Sequence, residues 1–230
     1  MNLKIGLIGS LLWWAANSEV AAQFTKYRQF GIKAGMNVSN VYTNTQNYTT
    51  KDVIGGTVSL TYDRVRARIF TFGSELNIIQ RGFNNEVEIT DEMGNITDLV
   101  SLKNRFNYFT MPVKLGIQLG NAIYVFGNAS VVPGVILSAF EEIPIVDQAG
   151  NIISIVKQDA TNSATQFDLS TQLEVGIGIT RKTTKFYISG AKQDSFINMW
   201  NTPSSTFNIK STGFIVSTGI KWEFGKGLLR

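Results

Sequence analysis

The chain has 230 residues, 21 Lys+Arg against 17 Asp+Glu for a net charge of +4, and neither His nor Cys. Lacking those two residue types, it cannot build a Ser-His-Asp triad, a cysteine nucleophile, a Cys/His zinc site or a disulfide framework. The basic balance suggests a polyanionic partner, but the Lys and Arg residues form no patch with interleaved aromatics, so no nucleic acid is expected.

Residues 1–4 form a short basic start and 5–16 an apolar stretch, and small residues at Val20-Ala21-Ala22 precede Gln23. This three-part layout predicts a cleaved signal peptide over 1–22 and a mature domain over 23–230. A run of about 12 apolar residues falls short of the ~20 that a spanning helix needs. The densest later stretch, 131–140, is interrupted by Pro133, Gly134 and Ser138. No cysteine follows the cleavage point to carry a lipid anchor, and about 208 residues suit one domain.

Beyond residue 25 the chain alternates. Phe167, Leu169, Thr171, Leu173, Val175, Ile177 and Ile179 share one face, and Asp168, Ser170, Gln172, Glu174, Gly176 and Gly178 share the other. Such a strand puts one face toward lipid and the other toward a polar lumen. Eight strands are predicted, over 28–39, 54–63, 66–83, 105–119, 122–140, 166–180, 185–196 and 209–224. Each reaches the ~9 to 11 residues that a tilted strand needs to cross a bilayer. Connections after the second, fourth and sixth are tight, at Arg64-Val65, Gly120-Asn121 and 181–184, and the others are long. The reading is an all-β, eight-stranded antiparallel up-and-down transmembrane β-barrel in the outer membrane, with the tight turns and both termini in the periplasm.

Aromatics at the tight-turn ends read as a headgroup-depth girdle: Tyr27, Phe30, Tyr62, Phe70, Phe72, Tyr124, Phe126, Phe186, Tyr187, Trp222 and Phe224. A thinner outer set comprises Phe83, Phe106, Tyr108, Phe109 and Phe167. Parity sends Lys33, Asn37, Asp63, Glu75, Asn77, Lys114, Gln118, Gln172, Glu174, Lys221 and Glu223 inward, a set that a soluble barrel could bury only at great cost. Pro112 and Pro133 fall inside predicted strands, and bulges are expected there.

The segments 89–96 and 146–152 each place Asp ahead of Gly-Asn between β-branched residues, as at the tips of two hairpins projecting past the membrane. A calcium loop is the sharper alternative, but the alternating carboxylates of an EF-hand are missing. Charge is asymmetric along the axis. Lys26, Arg28, Arg64, Arg66, Arg68, Arg181, Lys182, Lys185, Lys226 and Arg230 are assigned to the tight-turn rim. Glu86, Glu88, Asp91, Glu92, Asp98, Glu141, Glu142, Asp147 and Asp159 go to the long loops.

The segments Gly31-Ile32-Lys33-Ala34-Gly35-Met36-Asn37, Tyr108-Phe109-Thr110-Met111-Pro112-Val113-Lys114-Leu115-Gly116 and 124–138 resemble the PorT-type outer-membrane β-barrel family of Bacteroidetes. The resemblance implies an eight-stranded outer-membrane barrel, in a family whose namesake takes part in protein secretion. It brings no catalytic motif.

The inward charges Glu75, Lys114, Glu174, Lys221 and Glu223 are the candidate site. They read as a salt-bridged plug, because eight strands enclose a lumen just wide enough for side chains to fill. The pairing expected is that Lys114 and Lys221 neutralise the three glutamates; if Lys114 and Glu174 are partners, changing both should recover part of the loss from Glu174→Leu. The function expected is a non-enzymatic structural or interaction component of the cell envelope, associated with secretion, with a porin-like channel or small-molecule binding barrel as the alternative. Outer-membrane lipid and an envelope or secretion-system protein are the partners expected; no cofactor and no metal is.

Overall fold

The computed structural model describes residues 26–43, 50–67, 69–90, 93, 96–147, 151–200 and 209–227. The predicted signal peptide lies outside them. Ten antiparallel strands follow one another: β1 (Lys26–Thr43), β2 (Thr50–Arg66), β3 (Phe70–Thr90), β4 (Ile96–Thr110), β5 (Val113–Gly120), β6 (Ile123–Val146), β7 (Ile152–Asp159), β8 (Phe167–Arg181), β9 (Thr184–Asn198) and β10 (Ile209–Gly227). Among the described residues no helix is long and apolar enough to cross a membrane.

β1 pairs with both β2 and β10, so the sheet closes on itself. Eight staves make the ring, because β4 and β5 stack end to end between β3 and β6, and among the described residues β7 pairs only with β6. The ladder fixes the barrel's dimensions. From Val38 the pairing runs through Phe214, Lys192, Leu173, Ala129, Leu115, Phe72 and Arg64 and re-enters β1 at Arg28, a stagger of ten residues. Eight staves sharing that stagger must tilt by about 40° and stand about 8 Å from the axis. Side chains fill a cylinder of that width.

The single fourth strand predicted over 105–119 is thus broken at Met111-Pro112. The bulges expected at Pro112 and Pro133 are absent. Asn77↔Thr110 and Ser74↔Val113 lie in one register, as do Thr110↔Gly134 and Val113↔Val131, and β6 pairs evenly with β8 through Pro133↔Leu169. Each proline forfeits one bond of a doublet and keeps the other: Glu75 N donates to Pro112 O at 2.9 Å, and Met111 N to Pro133 O at 2.9 Å. The bulge in this region falls instead beside Asn107/Tyr108, against β6.

The first tight turn also lies further along than Arg64-Val65. Pairing continues to Arg66↔Phe70, and Ala67 turns the chain with φ 52°. The other two sit where predicted, with positive φ at Gly120 and Lys182. At the opposite end β3–β4 and β6–β7 project as hairpins. At the β6–β7 tip, Asp147 accepts from the backbone N of Asn151 at 2.8 Å and from its Nδ2 at 3.1 Å. Residues 91 and 92, of the calcium alternative, lie outside the described residues.

Outward positions are apolar and exposed along the ring, among them Phe30, Met36, Val58, Leu115, Leu173, Val175 and Val216. On β10 the outward run from Phe214 to Phe224 climbs about 25 Å, the height of an apolar membrane band. The inward face is polar and buried.

Candidate functional site: the charged lumen

Among the described residues all ten buried charged side chains point into the lumen, five cations (Lys33, Arg81, Lys114, Lys185, Lys221) and five anions (Asp63, Glu75, Asp168, Glu174, Glu223). The interior is therefore neutral in sum, the condition under which charges can be held at such depth.

Six of them form one alternating chain across the middle. Glu174 on β8 meets Lys33 on β1 at 3.3 Å, and Lys33 meets Glu75 on β3 at 2.8 Å. Glu75 meets Lys114 on β5 at 2.7 Å. Lys114 meets Asp63 on β2 at 3.1 Å, and Asp63 meets Lys221 on β10 at 2.8 Å. Six of the eight staves contribute one link each. Asn128 Nδ2 and Ser189 Oγ also donate to Glu174, at 3.0 and 2.9 Å.

Toward the tight turns, Lys185 pairs with Glu223 at 3.1 Å and donates to Gln118 at 3.1 Å. Lys185 stands over the Tyr124 ring and Lys221 over the Tyr187 ring, each at 4.7 Å. The rings lie flat because glycines face them: a methyl at Gly178 would sit 2.5 Å from the Tyr124 hydroxyl, and one at Gly219 would strike the Tyr187 ring. Toward the long loops, Arg81 pairs with Asp168 at 2.7 Å and lies over Tyr108 at 5.1 Å, and Ser195 also donates to Asp168. Above this pair an apolar cluster including Phe83, Phe106, Tyr108, Ala164 and Met199 fills the barrel, with Trp200 edge-on to Phe106.

The five candidates all lie in this lumen, but their pairing differs from the one expected. Lys114 and Lys221 do not neutralise the three glutamates between them. Glu174 takes Lys33 and not Lys114, Lys221 takes Asp63, and Glu223 takes Lys185. Parity had turned Lys33 and Asp63 inward without making them members. Lys185, assigned to the basic rim, is buried. The aromatic girdle needs the same correction: Tyr27, Tyr124, Phe126 and Tyr187, with Phe83, Phe106 and Tyr108 of the outer set, are buried inside. Phe30, Phe70, Phe72, Phe186, Phe224, Phe109 and Phe167 do face outward.

Each carboxylate of the six-member chain is in contact with an ammonium, and among the described residues no group of three or more carboxylates is arranged to hold a metal ion. A closed antiparallel ring with an apolar exterior and a charged, filled interior defines a membrane β-barrel protein. The chain matches the family described as "Outer membrane protein beta-barrel domain" over residues 16–227 and belongs to it. It is an outer-membrane β-barrel protein, and the tight turns accordingly mark the periplasmic end. Solved structures similar to it include Ail of Yersinia pestis bound to the heparin analogue sucrose octasulfate, at 11% identity over 85% of this chain and 99% of that one, TM-score 0.43. Neisserial surface protein A is similar at 10% identity over 85% and 97%, TM-score 0.46. OprG from Pseudomonas aeruginosa is similar at 13% identity over 88% and 98%, TM-score 0.43. No curated protein matches the chain.

Proposed function

We propose that this barrel is a non-conducting, non-enzymatic component of the outer membrane that acts through its surfaces, as a structural or interaction element of the envelope. The observation that carries this is the alternating chain from Glu174 to Lys221, which spans the lumen from stave to stave with every link at 3.3 Å or less. A hydrated ion has no passage through side chains in direct contact, and the apolar cluster above closes the axis a second time. The absence of His and Cys from the chain and the pairing of the buried carboxylates support a role without catalysis. The PorT-type resemblance of residues 31–37, 108–116 and 124–138 adds the finer reading, a part in a secretion assembly in Bacteroidetes. Planar-bilayer recording of the purified barrel tests it: a flat baseline is expected, and steady single-channel steps would replace this reading with a porin-like one.

A further inference from the structure

The two projecting hairpins expose four strand edges beyond the membrane, and three of them are blunted. On β3 the edge residues past the Thr50↔Asn85 pair include Glu86 and Glu88, and Lys51 pairs with Glu86. On β4 the edge amides of Leu99 and Lys103 are capped by the carboxylates of Asp98, at 2.7 Å, and Glu142, at 3.1 Å. On β6 the edge position Pro144 has no N–H to offer. Charge, capping and proline are the devices by which sheets refuse further strands.

β7 has none of them over most of its length. Ala160 N donates to Ala139 O at 3.0 Å, which sets the alternation from Ser154 onward: even residues bond to β6, and Ile155 and Lys157 turn N–H and C=O outward, while the register shifts between Ile152 and Ser154. Among the described residues that edge pairs with nothing. Its side chains are uncharged as far as Val156 and, Ser154 aside, β-branched, with Ile153 67% and Ile155 49% exposed. Lys157 is drawn aside over the Phe140 ring at 4.1 Å.

We infer that β7 is a docking edge for an extended polypeptide segment of another protein, which adds to the β6–β7 hairpin as a third strand outside the membrane. Backbone donors and acceptors repeating every second residue are satisfied by another extended backbone, and the isoleucines favour apolar residues opposite them. An antiparallel pair with a second copy in the same membrane does not fit. Two identical edges pair antiparallel about an axis normal to their sheet; the hairpin continues the barrel wall, so that axis lies in the membrane plane and would invert one barrel. This deepens the interaction reading, and its failure would leave the conductance result untouched.

The test uses the full chain in lipid nanodiscs with a capped eight-residue peptide of alternating Val and Thr as the probe. Saturable binding should slow amide exchange at Ile155 and Lys157 about tenfold or more, while Ser154 and Val156, already bonded to β6, stay unchanged. Ile155→Pro removes an outward N–H and no β6 bond, so it should abolish binding with the hairpin intact. The inference is overturned if the Ile155 and Lys157 amides are protected without peptide or stay unprotected at millimolar peptide. It is also overturned if Ile155→Pro, or a proline-interrupted peptide of otherwise similar composition, binds as well.

Discussion

Lys33→Met should be the most damaging single change in the lumen, and the geometry says why. Among the described residues Lys33 is the sole ammonium within ion-pair distance of Glu174, at 3.3 Å, whereas its other partner Glu75 keeps Lys114 at 2.7 Å. The substitution leaves Glu174 with hydrogen bonds from Asn128 and Ser189 but no cation in contact, and it leaves the lumen one negative charge out of balance. Stranding a buried charge costs about 3–5 kcal/mol. Glu174→Leu should cost less, about 1–3 kcal/mol, because Lys33 still holds Glu75 at 2.8 Å. The double variant Lys33→Met/Glu174→Leu should be more stable than Lys33→Met alone, with a coupling of about 1–3 kcal/mol, while Lys114→Met with Glu174→Leu should recover far less. Denaturant titration in lipid vesicles reads all of these. Equal losses for the two single changes, or a double variant no better than the sum of its parts, would refute the alternating chain.

On the lipid face, Val175→Arg should cost about 2–4 kcal/mol in the same titration, because its position is near the middle of the apolar band. Ile153→Arg on the projecting hairpin should stay within about 0.5 kcal/mol, and equal effects would contradict the depth assignment. Gly219→Val drives a branched side chain into the Tyr187 ring and should cost about 1–3 kcal/mol, whereas Gly56→Ala, with nothing within 4 Å of the added methyl, should leave stability nearly unchanged.

Period-two alternation was enough to find eight staves and the inside of each, since a residue's face depends only on its own strand. Lys33, Asp63, Glu75, Lys114, Glu174, Lys221 and Glu223 were all turned inward on that ground, and all are buried. Who meets whom depends on the stagger between strands, which brings Glu174 of β8 to Lys33 of β1 across 141 residues of sequence. No local pattern encodes that stagger. The aromatic girdle failed for a related reason: Tyr124, Phe126 and Tyr187 were placed by their nearness to strand ends, but parity points them at the axis, where glycines such as Gly178 and Gly219 make room. The same alternation that turns the charges inward turns these rings inward. Bulges were assigned to Pro112 and Pro133 because each lacks a donor, yet a doublet can lose one bond and hold its register. β7 is the return arm of the hairpin expected with its tip at 146–152, but it ends at Asp159 and does not run on into β8, which starts at Phe167.

The claim on which the rest depends is that the lumen is closed by direct contacts in a fixed order. Solid-state NMR of the barrel in lipid, reading through-space contacts between lysine Nζ and carboxylate carbons, tests it directly. Cross-peaks are expected for Lys33 with Glu75 and Glu174, Lys114 with Glu75 and Asp63, and Lys221 with Asp63, and none for Lys114 with Glu223. Lysine nitrogens that show contacts to mobile water and none to carboxylates would contradict it.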